Sequence, residues 1–292
     1  MRCGALILSR GTASIALSAC GLASMIRTPV LFVSHGSPMF ALEPGASGAR
    51  LRRLGETLTS VRAVLVVSPH WQTEGVRVGT SATPATIHDF GGFPAPLYQI
   101  RYPAPGAPAS AAAAIELLHA AGIEAQPDAS RGLDHGAWVP LLHLLPAAAV
   151  PVFQVSMPHT LDAMGALRLG AALMPLRGAG VLIVGSGSLT HNLMEVGHPV
   201  ADPGYAQAFA DWVRDAVERA DRGALAGYRS GAPHARRAHP TEEHFLPLLV
   251  ALGASLPGES AQWIAGDITH QVLSMACCAW GLDGAGIDAV TR

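Results

Sequence analysis

The sequence predicts an α/β protein, built as a single-domain layered sandwich with a largely parallel or mixed central sheet and helices on both faces. Short apolar runs bounded by turn residues are typical of strands buried on both faces, and they occur at residues 30–33, 63–67, 151–156 and 181–184. Apolar residues at helical spacing predict helices over residues 47–59, 108–121, 137–145, 161–175, 203–221 and 242–252. The alternation of strands and helices favours an α/β sheet, and its first strand–helix–strand segment predicts a parallel pair with a right-handed crossover.

The composition is that of a chain with a large buried core. The chain has 292 residues, of which 50% are hydrophobic and 14% are charged, and its net charge is −2. It has no run of basic residues, which argues against a nucleic-acid partner, and no apolar stretch of the roughly 18–20 residues that a transmembrane helix needs. The adjacent Cys277 and Cys278 lie in a segment with helical character. Because no CxxC spacing occurs, we expect neither a thiolate zinc site nor a redox dithiol.

Residues 1–28 differ from the rest of the chain, and we expect them to lie outside the domain, which we place at residues 29–286. The tetrapeptide Leu17–Cys20 resembles a bacterial lipoprotein cleavage box, but the apolar run before it is short and interrupted. Such a run is poor for a signal peptide. We therefore favour an N-terminal extension, with Met25 as a candidate start, and a cytoplasmic protein. An exported or lipid-anchored protein is the alternative if residues 1–20 act as a signal.

Histidine is unusually frequent, and three histidines occupy equivalent positions. The chain has 13 histidines against 19 lysines and arginines together. His35, His70 and His191 each closely follow a predicted strand. Because ligands of open α/β sheets bind at the carboxyl ends of the strands, we expect these side chains to converge, and histidine is the commonest metal ligand. The pattern predicts a metal site. The Gly185–Ser188 turn is a weaker signal for phosphate binding, since it lacks the Lys-Ser/Thr ending of a P-loop.

Several short motifs occur in an order that is typical of one family. They are residues 34–39 (SHGSPM), 68–71 (SPHW), 86–94 (TIHDFGGFP), 102–106 (YPAPG), 133–136 (LDHG), 190–193 (THNL) and 240–248 (PTEEHFLPL). On these motifs the segment 29–276 resembles the class III extradiol ring-cleavage dioxygenases of the LigB-like superfamily, and within them the 4,5-DOPA extradiol dioxygenase branch. Each motif is short, but their common order makes the resemblance specific.

The resemblance implies a metal shell of histidines and further histidines that act on protons. His35, His70 and His244 would be metal ligands, and His191 would be a fourth ligand or a catalytic residue beside the metal. His135 would be the other acid/base histidine. Fe(II) is expected for activity, and Zn(II) is expected to occupy the same site, because imidazole suits both metals.

The resemblance also implies a small aromatic diol, DOPA-like, and O₂ as the partners of this site, and it leaves the oligomeric state open. The Pro- and Gly-rich segment 80–108 is long for a loop, and long loops of this kind are usually functional or disordered. Within it, His88, Phe90 and Phe93 are the predicted substrate-binding residues, and Tyr98 is expected to help to wall the aromatic ring.

Two departures from the family pattern leave part of the shell open. Pro69 stands where alanine is expected before the ligand histidine, and His239 is an additional histidine that could compete as a ligand. Glu242 and Glu243 lie close to His244 in sequence and could also join the shell.

Two other classes of function remain compatible with the sequence. A zinc hydrolase would use a metal-bound water as its nucleophile and would be indifferent to O₂. A non-catalytic member of the same fold would bind a metal or a partner protein. His135 and His191 argue against this second class, because a binding scaffold needs neither.

Overall fold

The computed structural model describes residues 27–291 and contains a mixed sheet of eight strands, in the order β4-β3-β5-β2-β6-β1-β10-β7. Two further short strands, β8 and β9, form an antiparallel pair. The strand bounds are β1 Val30–Ser34, β2 Ala63–Thr73, β3 Val76–Gly79, β4 Ala125–Asp128, β5 Val152–Pro158, β6 Val181–Gly187, β7 Ala261–Ile264, β8 Ile268–Thr269, β9 Leu273–Ser274 and β10 Cys277–Trp280. This architecture confirms the predicted mixed α/β sheet.

The centre of the sheet is parallel, and antiparallel strands complete it on both sides. β6 pairs in parallel with β1 on one side and with β2 on the other, and β2 also pairs in parallel with β5. β10 runs antiparallel to β1. The first strand–helix–strand segment therefore joins parallel strands, as predicted, but β1 and β2 are not neighbours, because β6 lies between them.

Within the described residues, ten α-helices connect and cover the strands. Their bounds are α1 Gly45–Thr57, α2 Pro108–Ala120, α3 His135–Leu144, α4 Ala163–Leu173, α5 Gly204–Glu218, α6 Arg222–Ala226, α7 Tyr228–Gly231, α8 Ala235–Ala238, α9 Leu246–Ala254 and α10 Gly284–Thr291. The six predicted helices are all present. The largest difference is at α9, which begins at Leu246 rather than near residue 242, with Pro247 in its first turn. Proline is tolerated there, since the first backbone N–H groups of a helix have no partner within it.

Two hydrophobic cores, one on each face of the sheet, explain the uninterrupted apolar strands. In β1, Val30 and Phe32 belong to the core that α2, α4, α5 and α9 cover. Leu31 and Val33 belong to the opposite core, which α1 and α3 cover. Successive side chains of a strand point to opposite faces, so all four are buried, and each such side chain contributes about 1.5–3 kcal/mol. Helices on both faces are thus confirmed.

The C-terminal part of the sheet was not predicted. Cys277 and Cys278 were expected to be helical, but they lie in β10, where both are buried and free. The backbone of β10 pairs with β1 and β7, and this long-range pairing overrides the weak local helical pattern. The short strands β3, β4, β7, β8 and β9 were missed for a related reason, since two to four residues are too few to show a period.

A buried arginine and the first residue of β6 hold the backbone just before β1. Thr28 is buried; its hydroxyl donates to the Val181 carbonyl at 2.5 Å, and its own carbonyl accepts from Arg177 Nε at 2.8 Å. The prediction of an extension or signal concerns mainly residues 1–26, which lie outside the described residues. At the other end, α10 passes through the expected boundary at residue 286. Within residues 27–291, no helix combines the length and apolarity that crossing a membrane would require.

Replacing Glu259 with glutamine is expected to lower the free energy of unfolding by about 3 kcal/mol, because it removes the anionic partner of a buried guanidinium. Arg177 is fully buried, and its two Nη atoms donate to the Glu259 carboxylate at 2.7 and 2.8 Å. Urea denaturation measures the change. The control Glu218→Gln breaks the exposed pair with Arg214 and should cost below about 0.5 kcal/mol. Equal losses in the two variants would contradict this role for Glu259.

Candidate metal centre

The parallel strands bring histidines to one edge of the sheet. His35 directly follows β1, and its backbone N–H donates to the Gly187 carbonyl, the last residue of β6, at 2.9 Å. His70 lies within β2, which continues to residue 73 beyond an irregularity in its pairing with β5, rather than in a loop. His191 follows β6, and its backbone N–H donates to Ala238 at 2.7 Å. The structure thus brings the three histidines named from the strand pattern to the same edge.

His244 joins His35 and His70 from the turn before α9. The ring centroids of these three histidines form a triangle with sides of 5.0, 5.1 and 5.5 Å. His35 Nε2 lies 3.1 Å from His70 Nε2. Two nitrogens bound tetrahedrally to one zinc ion lie roughly 3.3 Å apart, since each Zn–N bond is about 2.0 Å. The spacing of these nitrogens fits a shared metal ion.

Neighbouring oxygens fix the tautomer of His35 and His244, the two most buried histidines of this triangle. The Ser186 hydroxyl donates to the Gly136 carbonyl at 2.5 Å, so it accepts from His35 Nδ1, 3.0 Å away. The Glu243 carboxylate, which can only accept, lies 2.9 Å from His244 Nδ1. Both rings therefore carry the proton on Nδ1 and a lone pair on Nε2. This is the arrangement of metal-binding histidines, whose other nitrogen donates to a neighbouring oxygen.

Burial keeps these imidazoles neutral. It lowers the pKa of His35 and of His244 far below the ordinary histidine value, and the neighbouring histidines add to the effect. Burial likewise lowers the pKa of His70 and of His191 to about 4. Neutral imidazole is the form that binds metals. His244 Nε2 is buried and has no hydrogen-bond partner among the described residues, a costly state for a polar atom that a metal ion would relieve.

His191 and His135 flank this triangle. The His191 ring stacks on His244 at 3.4 Å with an angle of 8° between the planes. His135 is the first residue of α3, and its ring centroid lies 3.9 Å from that of His70. Two groups of potential ligand atoms are therefore compact enough for an ion: one combines His35, His70 and His135, and the other combines His191, Glu243 and His244.

Asp89 distinguishes His135 from the other histidines. One oxygen of Asp89 accepts a hydrogen bond from the His135 backbone N–H at 2.9 Å. The same oxygen lies 3.0 Å from Nδ1 of the His135 ring, which is close enough for an ion pair, but the angle there does not suit a hydrogen bond. Burial raises the pKa of Asp89, but the contacts with His135 outweigh it and lower that pKa to about 2. The carboxylate therefore stays ionised next to the His135 ring.

A cavity of about 370 Å³ opens over the histidines. Its lining combines the five histidines of the centre with a sixth histidine, His270, and with nine mostly apolar residues, namely Gly36, Ser37, Pro38, Met39, Phe90, Phe93, Leu193, Val196 and Leu273. Phe90 and Phe93 stand edge to face, with ring centroids 5.4 Å apart. An apolar cleft with a few convergent polar groups is typical of a small-molecule site.

Two predicted residues have positions behind this cavity rather than on its surface. His88 does not line it; its Nε2 lies 3.0 Å from the Ile100 carbonyl, and its ring packs against Phe90. Tyr98 also packs against Phe90, with ring centroids 5.3 Å apart. Both side chains pack against Phe90 from behind. His88 therefore supports a residue of the cavity wall and does not itself line the cavity.

The additional residues near His244 have separate partners. His239 is buried, and its Nε2 bonds the Leu189 carbonyl at 2.8 Å, away from the centre. Glu242 accepts from the Tyr228 hydroxyl at 3.0 Å. Of these residues, only Glu243 contacts a histidine of the triangle.

Close backbone approach explains the glycines that gave the phosphate signal. A Cβ on Gly187 would lie 2.2 Å from the His244 carbonyl oxygen, and one on Gly185 would lie 2.0 Å from the Pro247 carbonyl oxygen. Both glycines belong to β6 and let the segment that carries His244 pack directly on the sheet.

Sequence reasoning missed Asp89 and Ser186 as functional neighbours. Asp89 occurs in one of the motifs that carried the resemblance, but the neighbouring His88, and not Asp89, was predicted to act at the site. Ser186 lies in the turn that was considered for phosphate binding. Asp89 lies in a loop and Ser186 lies near the end of β6, and the histidine that each of them contacts is far away in sequence.

Comparison with known proteins agrees with this geometry. A family model described as the catalytic LigB subunit of aromatic ring-opening dioxygenase matches residues 29–276. The 4,5-DOPA dioxygenase extradiol of Beta vulgaris is 41% identical over 240 residues, which are 80% of this chain and 89% of that protein. The 4,5-DOPA dioxygenase extradiol of Escherichia coli K12 is 39% identical over 239 residues, which are 79% of this chain and 86% of that protein.

A solved structure shares the fold. The crystal structure of an uncharacterized protein from Escherichia coli K12 superposes on this chain with a TM-score of 0.73, and the two sequences are 33% identical. The superposed region covers 87% of this chain and 99% of that chain. The family match spans most of the described residues, and it includes all five histidines of the centre. The chain belongs to the family of the catalytic LigB subunit of aromatic ring-opening dioxygenases.

Proposed function

We propose that this chain opens the ring of a catechol with O₂, in an extradiol reaction that depends on Fe(II) and is carried out by the five clustered histidines. The observation that carries the proposal is the set of neutral, inward-facing imidazole nitrogens at the base of a cavity with an aromatic wall. The names of the curated relatives support a DOPA-like catechol as the substrate.

His35, His70 and His244 would hold the metal, because the Nε2 atoms of His35 and His244 carry lone pairs and lie beside His70. Bound Fe(II) would supply the redox chemistry with O₂ and would acidify the catechol hydroxyls, whereas zinc has no redox chemistry. His191 would lie beside the metal as a fourth ligand or as a second acid/base group, since its ring stacks on His244.

His135 would take up a hydroxyl proton of the catechol. Its ring lies at the cavity surface beside His70, and the ionised Asp89 carboxylate 3.0 Å from Nδ1 would stabilise the imidazolium that forms. The same imidazolium can return the proton as the ring opens, which is general acid–base catalysis by one residue. Phe90 and Phe93 would pack against the aromatic ring and keep water away from it.

Apo-protein reconstituted without O₂ is expected to consume O₂ with catechols when it is loaded with Fe(II), and not when it is loaded with Zn(II). The physical reason is that both metals suit the imidazole ligands but only iron can exchange electrons with O₂. An oxygen electrode, together with the appearance of a yellow ring-opened product, measures the reaction.

The zinc-loaded protein is the matched control, because it has the same ligands and cavity. Stoichiometric binding of both metals with no O₂ uptake from any catechol would refute the proposal. Hydrolysis of an ester or amide by the zinc form would then favour the hydrolase alternative.

Replacing His135 with alanine is expected to lower turnover by at least about a hundredfold, the usual contribution of a general acid–base group, and to leave the iron content unchanged. Metal analysis and steady-state kinetics on the same preparation separate these two effects. The control is His119→Ala, an exposed histidine of α2 whose Nε2 bonds only the Ala125 carbonyl. Loss of iron in the His135 variant would instead assign this residue to the metal shell.

A further inference from the structure

Asp134, a fully buried carboxylate behind the centre, connects the elements that carry His70 and His135. Asp134 precedes His135 in sequence, and its two oxygens accept from three groups on α3, β5 and the preceding loop. We propose that Asp134 is a positioning residue that, with Arg131 and Gln154, fixes His70 and His135 relative to each other. We call these three residues the Asp134 network. The proposal rests on the roles given above to the two histidines.

The first connection holds His135. Asp134 is the N-cap of α3, and its Oδ1 accepts from the Ala137 backbone N–H at 3.1 Å. An N-cap carboxylate of this kind fixes where the helix starts. Since His135 is the first helical residue, the cap sets the direction in which the His135 side chain leaves the backbone.

The second connection holds the backbone of His70. A single nitrogen of Arg131, Nη2, donates to the His70 carbonyl at 3.0 Å and to Asp134 Oδ2 at 3.0 Å. The guanidinium also lies over the Trp71 ring, 5.3 Å from its centroid. The arginine is therefore held in place and transmits the position of Asp134 to the strand that carries His70.

The third connection anchors the network to the sheet. Gln154, buried in β5, donates from Nε2 to Asp134 Oδ2 at 2.8 Å and accepts at Oε1 from the Asp134 backbone N–H at 3.1 Å. These two bonds fix the orientation of the Gln154 amide relative to Asp134. β5 pairs with β2, so the anchor and His70 belong to the same rigid sheet.

Only a carboxylate satisfies all three donors. An asparagine at this position would have one oxygen and one NH₂ group. If the NH₂ group took the place of Oδ2, it would face the donors of Arg131 and Gln154; if it took the place of Oδ1, it would face the Ala137 N–H. In either orientation at least one buried donor loses its acceptor, and the contacts to α3 or to Arg131 must shift.

The distance between the two rings makes such a shift costly. The centroids of His70 and His135 are 3.9 Å apart, and a Cβ on Gly136 would lie 2.3 Å from Ser68 Oγ and 3.0 Å from His70 Cδ2. The start of α3 therefore packs on β2 with no spare space. Misplacement by about 1 Å of groups that take part in a reaction can lower a rate by a factor of about 10².

The test compares Asp134→Asn with wild type in two assays. The first is Zn²⁺ affinity, measured by competition with a chromophoric chelator; the second is steady-state turnover of a catechol by the Fe(II) form. We expect Zn²⁺ affinity to fall by about 10-fold, at the lower end of the effect of groups that orient metal ligands. We also expect kcat to fall by about 10- to 100-fold while KM changes less, because Asp134 does not line the cavity.

The matched control is Asp162→Asn, which makes the same chemical change at another helix N-cap. Asp162 caps α4 through a bond from the Gly165 N–H and lies away from the cavity. Its Zn²⁺ affinity and kcat should stay within about twofold of wild type, as for most surface substitutions. A loss of cap stability alone would therefore appear as a lower Tm in both variants.

A second variant covers the case in which Asp134→Asn does not fold. Arg131→Met keeps the aliphatic stem on Trp71 and removes the bonds to His70 and Asp134, and it should lower Zn²⁺ affinity and kcat in the same direction. The proposal is overturned if either variant is folded and has wild-type Zn²⁺ affinity and wild-type kcat. If the wild type binds Zn²⁺ but opens no catechol, the function fails, while the affinity comparison still decides whether the Asp134 network positions His70.

Discussion

The site depends on the burial of neutral imidazole rings against one another. The five histidines of the centre line one cavity, and removal of water favours the uncharged form of His35, His70, His191 and His244. Ser186 and Glu243 bond the Nδ1 atoms of His35 and His244 and so offset part of the cost of burial. Their remaining nitrogens face inward, where a divalent cation is the partner that suits several lone pairs at once. Stability and metal binding thus place opposite demands on these side chains.

The position of β6 makes this cluster possible. β6 pairs with both β1 and β2, so the ends of three parallel strands lie side by side. Gly187, at the end of β6, lets the His244 carbonyl approach to a distance that a side chain would prevent. His35, His70 and His191 therefore come from the carboxyl-terminal parts of three parallel strands, and His244 comes from a turn that packs on the sheet. That is a common plan for α/β proteins, in which function lies at the carboxyl edge.

The sequence predicted the histidines that follow strands and not the residues that support them. His35, His70 and His191 could be named from topology alone, because each stands next to a long apolar run. His135 and His244 could be named only from the family resemblance, since a helix start and a short turn carry no sheet pattern. Asp89 and Ser186 reach their partners across 46 and 50 residues, and the short strands after residue 260 form only through pairing with β1 and with one another. Contacts of this range depend on the finished fold.

The burial of the two cysteines of β10 has a consequence for metal selectivity. Burial raises the pKa of Cys277 to about 12, and burial together with the neighbouring Cys277 raises the pKa of Cys278. Thiolates, not thiols, bind soft metals and react with oxidants. Although β10 pairs directly with the strand that ends at His35, its sulfur atoms remain protonated and unreactive. The two thiols of β10 thus lie beside the strand that leads to the candidate metal centre without offering a thiolate to it, and the imidazole nitrogens are the donors that face the cavity.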